Sequence, residues 1–224
     1  DLLWPISSLL VRISIIEREV TDPKALEYFG FYKEQTERLH HIVTELINLT
    51  RIKKWKVRHN SINFADLIER CIRQYQFLPN YDQIDFRVEV QEELSYFSDE
   101  LTITTIIQNL IENAVKYANI NQATCWVKVS VVKEEKQLLI CVEDNGIGIK
   151  EEYQPRIFEM FFRANDSGEG SGLGLYILKN AVDKLHGEIM LRSAYGKGSL
   201  FCIELPLQMS EATSAELQRD AESG

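Results

Sequence analysis

The sequence lacks an excess of positive charge. Its 224 residues include 25 lysines and arginines against 34 aspartates and glutamates, a formal net charge of −9. A basic footprint for nucleic acid is therefore missing, and an anionic membrane surface would repel the chain. Any polyanionic ligand must be held by a few local cations and a metal ion. The hydrophobic content of 45% is that of an ordinary globular protein with one or two domains.

Cysteine pairs and long apolar runs are also missing. The cysteines (Cys71, Cys125, Cys141 and Cys202) lie far apart, without a CxxC pair or histidines at ligand spacing. This pattern predicts reduced core thiols in a cytoplasmic protein. No apolar run approaches the roughly 20 residues that span a bilayer, and no signal peptide is visible. The first five residues match the second half of a motif that is described below, so we expect the chain to be a fragment of a longer protein. A membrane segment could then lie upstream of Asp1.

Residues 1–56 carry a helical pattern. Apolar residues recur with helical spacing from Ile6 to Val20, "TDP" (21–23) interrupts them, and a second apolar face runs from about residue 24 to 54. Two long helices joined by a short turn predict an antiparallel hairpin. Because a hairpin alone leaves one side of its apolar stripe in water, we expect a homodimer with a four-helix bundle, in preference to packing against the rest of the chain.

The remainder of the chain mixes helices with strands. After a polar linker (56–64), the patterns predict helices over 63–77, 99–118 and 173–186, strands over 84–90, 124–133 and 137–144, and a final hairpin over 187–205. This order predicts an α+β fold, in which helices cover one face of a mixed sheet. We divide the chain into a helical hairpin (1–56), an α/β sandwich (57–208) and a polar tail or linker (209–224).

Two glycine-rich motifs carry candidate chemistry. "DNGIGI" (144–149) follows an apolar strand, so that the Asp144 carboxylate can accept a hydrogen bond from an exocyclic amine while Gly146 and Gly148 let the backbone approach a flat ring. "GEGSGLGL" (168–175) leads into a helix, whose exposed N–H groups and positive dipole suit a phosphate. It is neither a P-loop nor a Rossmann fingerprint. Taken alone, the stretch 144–149 is equally well explained as a plain turn after a strand, and the stretch 168–175 as a flexible loop.

A third motif, "NLIENAVKYA" (109–118), lies inside a predicted helix. Asn109 and Asn113 share a face of that helix, and Lys116 lies close to the same face. Two amide oxygens can bind Mg²⁺ while a lysine meets phosphate oxygens. A solvated polar face is the usual reason for such spacing, but two asparagines in an otherwise apolar helix favour a site.

The order of the motifs is more specific than any one of them. The asparagine motif, "DNGIGI", "IFEMFFR" (157–163), "GSGLGL" (170–175) and "GKGS" (196–199) together resemble the catalytic, GHKL-type (Bergerat) ATP-binding domain of sensor histidine kinases. Residues 1–56 resemble the dimerisation and phosphoacceptor hairpin of the same family. The resemblance covers about residues 1–207. It implies ATP and Mg²⁺ as cofactors, autophosphorylation of a histidine, and transfer to an aspartate of a response regulator.

The resemblance also implies roles for individual residues. Asp144 would accept the adenine amine, and Asn109 and Asn113 would hold Mg²⁺, with Asn109 and Lys116 in the catalytic set. A mobile lid would cover about 150–171, with Phe158, Phe161 and Phe162 in its core, at the nucleotide or against the hairpin. The other residues assigned to the nucleotide in this way are Lys116, Tyr117, Gly146, Gly148, Ile149, Arg163, Gly172, Leu173, Gly174 and Leu175. Because related ATPases carry a glutamate at position 109, its asparagine favours transfer to a side chain over hydrolysis.

The opening residues match the family only in part. There the phosphoacceptor histidine is followed by an acidic residue and, five positions on, by a proline, a register that Asp1 and Pro5 fit if a histidine directly precedes Asp1. Asp1 would then orient the imidazole or accept its proton. Trp4 occupies the position used for dephosphorylation, so a weak or absent phosphatase is expected. His40 and His41 fall on the second helix and are not expected to be phosphoacceptors. A nucleotide-binding dimeric pseudokinase or scaffold is the alternative.

Overall fold

Two long helices form the predicted hairpin. The computed structural model describes residues 3–54, 60–77, 81–119, 122–164 and 171–207. Helix α1 spans Leu3–Glu19 and α2 spans Pro23–Lys54. Pro23 stands at the first position of α2, where a missing N–H costs no hydrogen bond. The helices pack along each other, and none of the described helices is long and apolar enough to cross a membrane.

The hairpin leaves apolar side chains in solvent. Ile6 and Ile13 are buried against α2, but many neighbours are not. The large apolar side chains of the hairpin that are at least half exposed are Trp4, Leu9, Val11, Ile15, Tyr28, Phe31, Tyr32 and Leu39. A second copy would cover such a surface, and dimerisation stays a prediction.

A five-stranded mixed sheet forms the centre of the rest of the chain. Its strands are β2 (Ile84–Val90), β4 (Cys125–Lys133), β5 (Gln137–Asp144), β6 (Glu188–Ala194) and β7 (Gly198–Pro206), in the order β2-β4-β5-β7-β6. β2 and β4 run parallel, and the other neighbours are antiparallel. A separate two-stranded ladder pairs β1 (Asn60–Ser61) with β3 (Phe97–Ser98). This ladder was not predicted, because two-residue strands carry no pattern.

Three helices cover one face of the sheet. They are α3 (Phe64–Gln74), α4 (Glu100–Lys116) and α5 (Gly174–Lys184). The Asn63 side chain caps α3 and the Asp99 side chain caps α4, each accepting a hydrogen bond from an N–H group of the first turn. On β4 the positions facing the helices alternate with less buried ones. The predicted α+β fold with a mixed sheet is therefore confirmed, whereas the division into domains stays a prediction.

Helix α2 also contacts the sheet domain. Leu49 and Ile52 are buried in the same apolar core as α3, α4 and α5, and Ile42 and Leu46 pack on its edge. The contact is made mainly with α5. It brings one face of α2 next to the start of α5, where the second glycine-rich motif (168–175) ends.

Two of the four cysteines form a disulfide, which corrects the expectation of reduced thiols. Cys141 on β5 and Cys202 on β7 are directly opposite each other in the antiparallel register, with their Cα atoms 4.1 Å apart. They are 61 residues apart in the sequence, so their spacing gave no sign of the pairing. Cys71 and Cys125 are buried free thiols, as expected.

Reduction should lower the stability of the protein by about 4 kcal/mol, because the bond closes a loop of about 60 residues in the unfolded chain. Urea denaturation with and without reductant measures the effect. The Cys141→Ser/Cys202→Ser double variant is the control, since reductant should no longer change its midpoint. Four reactive thiols in the denatured, unreduced protein, instead of two, would contradict the prediction.

Candidate functional site

A large cleft lies where the end of α4, the turn after β5 and the start of α5 meet. The empty space that it encloses, with the open mouth counted in, is about 1240 Å³. Two of the predicted nucleotide residues, Gly146 and Leu173, do not line it, and the Leu173 side chain is fully buried in the core. The predicted nucleotide residues that do line it are Asn109, Asn113, Lys116, Tyr117, Asp144, Gly148, Ile149, Arg163, Gly172, Gly174 and Leu175.

The glycines of the turn after β5 make room for the protein's own backbone. A Cβ atom on Gly146 would lie 2.3 Å from the carbonyl oxygen of Tyr117. One on Gly148, whose φ is +63°, would lie 2.1 Å from the carbonyl oxygen of Ala194. Ile147 donates a backbone hydrogen bond to Tyr117 at 3.0 Å, which fixes the turn to the end of α4. The packing of the backbone therefore requires glycine at both positions, and their place beside a flat ring stays a prediction.

Asp144 ends β5 with its carboxylate held in place. Its Oδ1 accepts a hydrogen bond from the N–H of Gly146 at 2.8 Å, and the backbone of Ser199 on β7 also bonds to it. Burial raises the pKa of Asp144 to about 6, and these two hydrogen bonds oppose the rise. A buried carboxylate with one edge fixed by the backbone is well suited to accept a hydrogen bond from an exocyclic amine in the cleft.

Ile149 is held on both sides by residues that the sequence did not indicate. Its N–H donates to the Ser193 hydroxyl at 2.8 Å, and the Gln154 amide donates to its carbonyl at 3.1 Å. Gln154 also bonds the Ser193 carbonyl at 3.0 Å. Ser193 lies 44 residues from Ile149 on β6, outside every motif, so only the folded chain places it here.

The polar face of α4 points into the cleft. The Asn109 amide nitrogen donates to the Thr105 carbonyl at 2.8 Å. The Oδ1 atom of Asn109 lies beside Gly174, where a Cβ atom on that glycine would be only 3.0 Å from it. The Asn113 amide nitrogen is buried and has no hydrogen-bond partner among the described residues. An amide oxygen and an unsatisfied amide N–H group therefore lie near the start of α5. These groups fit a hard cation and the phosphate oxygens that it would accompany.

A backbone hydrogen bond joins the middle of the predicted lid (about 150–171) to the glycine that directly follows it. Phe161 donates to the Gly172 carbonyl at 3.0 Å, and a Cβ on Gly172 would lie 2.8 Å from the carbonyl carbon of Phe161. Phe161 has a φ of +65°, an uncommon value for an aromatic residue, and its side chain is 54% exposed. Phe162 lines the cleft, and Phe158 packs against the core. Residues 165–170 of the lid lie outside the described residues.

The hairpin contributes two residues to the cleft that were not predicted there. His41 and Glu45 of α2 line it together with Glu112 of α4. The Nε2 atom of His41 lies 3.4 Å from Oε2 of Glu45. No local pattern indicates this arrangement, because it depends on how α2 docks against α5. Asp1, the predicted partner of the phosphoacceptor, lies outside the described residues.

A family comparison identifies the fold around this cleft. Residues 98–209, half of the chain, match the family described as Histidine kinase-, DNA gyrase B-, and HSP90-like ATPase. The chain belongs to this family. The match runs from β3 to the end of β7 and so includes α4, the turn after β5 and α5. The resemblance to the catalytic domain of sensor histidine kinases is thereby confirmed.

Curated relatives within the family are sensor kinases. The chain is 29% identical over 221 residues to the Autoinducer 2 sensor kinase/phosphatase LuxQ of Vibrio vulnificus, covering 94% of this chain and 26% of that protein. It is 29% identical over 220 residues to the sensor histidine kinase RppB of Synechocystis, covering 92% and 47%. The chain thus spans about a quarter to a half of the length of these relatives.

Solved structures support the same assignment. Full-length ShkA in complex with AMPPNP superimposes with a TM-score of 0.73 at 20% identity, over 92% of this chain and 44% of that one. At that identity the likeness concerns the fold alone. The catalytic domain of the histidine kinase ThkA gives a TM-score of 0.58 at 26% identity, over 67% of this chain and 96% of that domain.

If this ATPase-family site reads adenine through Asp144, adenosine binding should weaken as the pH falls below about 6. Protonation turns one carboxylate oxygen into a donor, so affinity should fall about tenfold per pH unit below the raised pKa and be flat above it. Adenosine is the ligand of choice because it has no phosphates to titrate. Titration calorimetry of wild type and Asp144→Asn measures the effect. Only the wild type should respond, and a flat wild-type profile would contradict the prediction.

Proposed function

We propose that the chain is the kinase core of a sensor histidine kinase. It binds Mg²⁺-ATP in the cleft and phosphorylates a histidine expected directly before Asp1. The phosphoryl group then passes to an aspartate in the receiver domain of a response regulator. The observation that best supports this proposal is the convergence of Asp144, the α4 asparagines and the glycine end of the lid on a single cleft.

Different residues of the cleft bind the two ends of the nucleotide, the adenine and the phosphates. The Asp144 carboxylate accepts the adenine amine, which selects adenine over a base with a carbonyl at that position. The amide oxygens of Asn109 and Asn113 would hold Mg²⁺, which would neutralise phosphate charge. Lys116 from α4 and Arg163 from the lid line the same cleft and supply the local cations that the acidic chain otherwise lacks.

The residue at position 109 favours transfer over hydrolysis. An asparagine cannot take a proton from water, and the Asn109 amide nitrogen already bonds the Thr105 carbonyl. The γ-phosphoryl group is therefore kept for an incoming imidazole, whose proton Asp1 would accept. The clamp-type ATPase activity of the wider family is disfavoured in this chain for that reason.

In this proposal, both protein partners of the chain bind to the hairpin. The exposed apolar side chains of α1 and α2 pair with those of a second copy, so that residues 1–56 of two chains form a four-helix bundle. The response regulator docks on the same hairpin, beside the phosphoacceptor end of α1. The core would work in the cytoplasm, and any membrane anchor would come from a segment outside this chain.

Phosphotransfer from Mg²⁺-ATP tests the proposal directly. The chain should be extended upstream by its native residues and incubated with labelled ATP. An acid-labile, alkali-stable label that is lost when the residue before Asp1 is replaced would support the kinase. Binding of ATP without any label would favour the alternative, a nucleotide-binding dimeric pseudokinase or scaffold. Steady phosphate release without a phosphoprotein would favour an ATPase.

The phosphatase activity of the same extended chain should be weak or absent. Trp4 is 72% exposed at the position where dephosphorylating kinases use a side chain that orients water, and an indole offers one N–H and no acceptor. The measurement is loss of label from the phosphorylated response regulator, with Trp4→Thr as the variant expected to gain activity. Rapid loss that Trp4→Ala abolishes would contradict the prediction. LuxQ, a relative named as a kinase and phosphatase, provides the positive control.

A further inference from the structure

The hairpin places a carboxylate at the lid end of the nucleotide cleft. The Glu45 side chain reaches from α2 into the cleft and is only 13% exposed, although it belongs to a helix with a largely solvent-exposed surface. Ser171, which directly precedes Gly172, forms a hydrogen bond with it. Glu45 therefore connects the hairpin to the point where the lid ends and α5 begins.

The surroundings of Glu45 leave its charge incompletely satisfied. Its Oε2 atom is buried with no hydrogen-bond partner among the described residues, and the Nε2 atom of the partly exposed His41 lies 3.4 Å from it. Burial raises the pKa of Glu45; Ser171, His41 and Lys116 oppose the rise, and the Glu112 carboxylate adds to it. A buried carboxylate in such a setting is costly unless a cation is close.

A bound nucleotide would bring negative charge to the same end of the cleft. Lys116, which attracts the Glu45 carboxylate, is also the α4 cation available to phosphates, and Ser171 adjoins the glycines that would receive them. A triphosphate in the cleft and the Glu45 carboxylate would thus compete for one lysine and repel each other.

We propose that Glu45 is a displaceable latch: it holds the end of the lid against the hairpin in the nucleotide-free protein and must withdraw when a triphosphate binds. This inference rests on the proposed nucleotide site and adds a regulatory contact to it. Docking of the sheet domain on α2 and binding of ATP are then opposed. By linkage, ATP weakens the docking by the same factor by which the docking weakens ATP binding.

The experiment compares ATP and adenosine binding by wild type, Glu45→Gln and Glu34→Gln, with Mg²⁺ and at mildly alkaline pH. Glu45→Gln keeps the shape and an acceptor for Ser171 but removes the charge. It should bind ATP about tenfold more tightly than wild type, a typical size for such coupling, and should bind adenosine equally well. Glu34 is exposed on the same helix, so Glu34→Gln makes the same charge change away from the cleft and should match wild type.

Each other outcome has a definite meaning. Equal ATP affinity of wild type and Glu45→Gln would overturn the latch but leave the proposed function intact. Weaker, less Mg²⁺-dependent binding by Glu45→Gln would also overturn it, because Glu45 would then help to hold the cation. Failure of wild type to bind ATP at all would overturn the proposed function, and the latch with it.

A distance measurement tests whether nucleotide binding loosens the contact between α2 and the sheet domain. Spin labels at Arg38 on α2 and at Arg192 on β6 report the docking of the two parts, and both positions are exposed. Because the remaining cysteines are buried or disulfide-bonded, labelling is selective for introduced thiols. AMPPNP should broaden or lengthen the distance in wild type. An unchanged distance at saturating AMPPNP would overturn displacement.

Discussion

Asp144→Asn is expected to weaken ATP binding by about 100-fold while leaving the fold intact, since one charge-assisted hydrogen bond is lost and a donor faces a donor. The wild-type carboxylate accepts from the backbone of Gly146 and Ser199 and keeps acceptor capacity for the adenine amine. An asparagine has a single acceptor oxygen. Its amide nitrogen, which can only donate, would therefore face either a backbone N–H group or the adenine amine, and two donors cannot form a hydrogen bond. Titration calorimetry or fluorescent-nucleotide displacement measures the loss.

Glu143→Gln is the matched control for this variant. Glu143 is the preceding residue on β5, is exposed and lies outside the cleft, so the same change from carboxylate to amide should leave ATP affinity unchanged. Circular dichroism and thermal melting should be similar for both variants and wild type. If Asp144→Asn binds ATP as tightly as wild type, the base is not read by this carboxylate.

Asn113→Ala is expected to reduce autophosphorylation of the upstream-extended chain by on the order of 1000-fold at saturating ATP, because positioning and charge neutralisation carry most of the catalysis in phosphoryl transfer. The Asn113 amide nitrogen is buried at the cleft and finds no hydrogen-bond partner in the described part of the chain, and alanine removes both this donor and the oxygen proposed for Mg²⁺. The rate of label incorporation measures the effect. ATP binding should also lose its dependence on Mg²⁺.

Gln108→Ala provides the comparison for that second result. Gln108 is another amide on α4, but it bonds Gln74 at 2.6 Å and does not line the cleft. Its removal should change autophosphorylation less than twofold, within the usual range for a surface substitution. A similar loss in both variants would mean that α4 had been destabilised, and an active Asn113→Ala would exclude Asn113 from the metal site.

The secondary structure and part of the site were predictable because they depend on short-range patterns. The apolar spacing of α4, the alternation along β4 and the break at Pro23 all arise within one or two turns or pleats, and the structure follows them to within a few residues. The grouping of Asn109 with Asn113 has the same origin, since residues four apart share a helix face.

The unpredicted features all depend on long-range contacts. Cys141 meets Cys202 through strand register, and Ser193 meets Ile149 because β6 ends beside the turn after β5. Glu45 enters the cleft because α2 docks on α5 through Leu49 and Ile52. Such contacts are set by the packing of whole elements, so no window of the sequence contains them.

The bond between Phe161 and Gly172 has a practical consequence for protein engineering. This hydrogen bond closes the intervening chain into a loop, so we expect an insertion between these two positions to leave Asn109 and Asp144, which lie on other elements, in place. Doubling the length of such a loop costs only about 0.6 kcal/mol of closure entropy. Because Arg163 and Ser171 within this loop line the cleft, a circularly permuted fluorescent protein inserted between them is expected to change its emission when a nucleotide binds, which would report nucleotide occupancy in living cells.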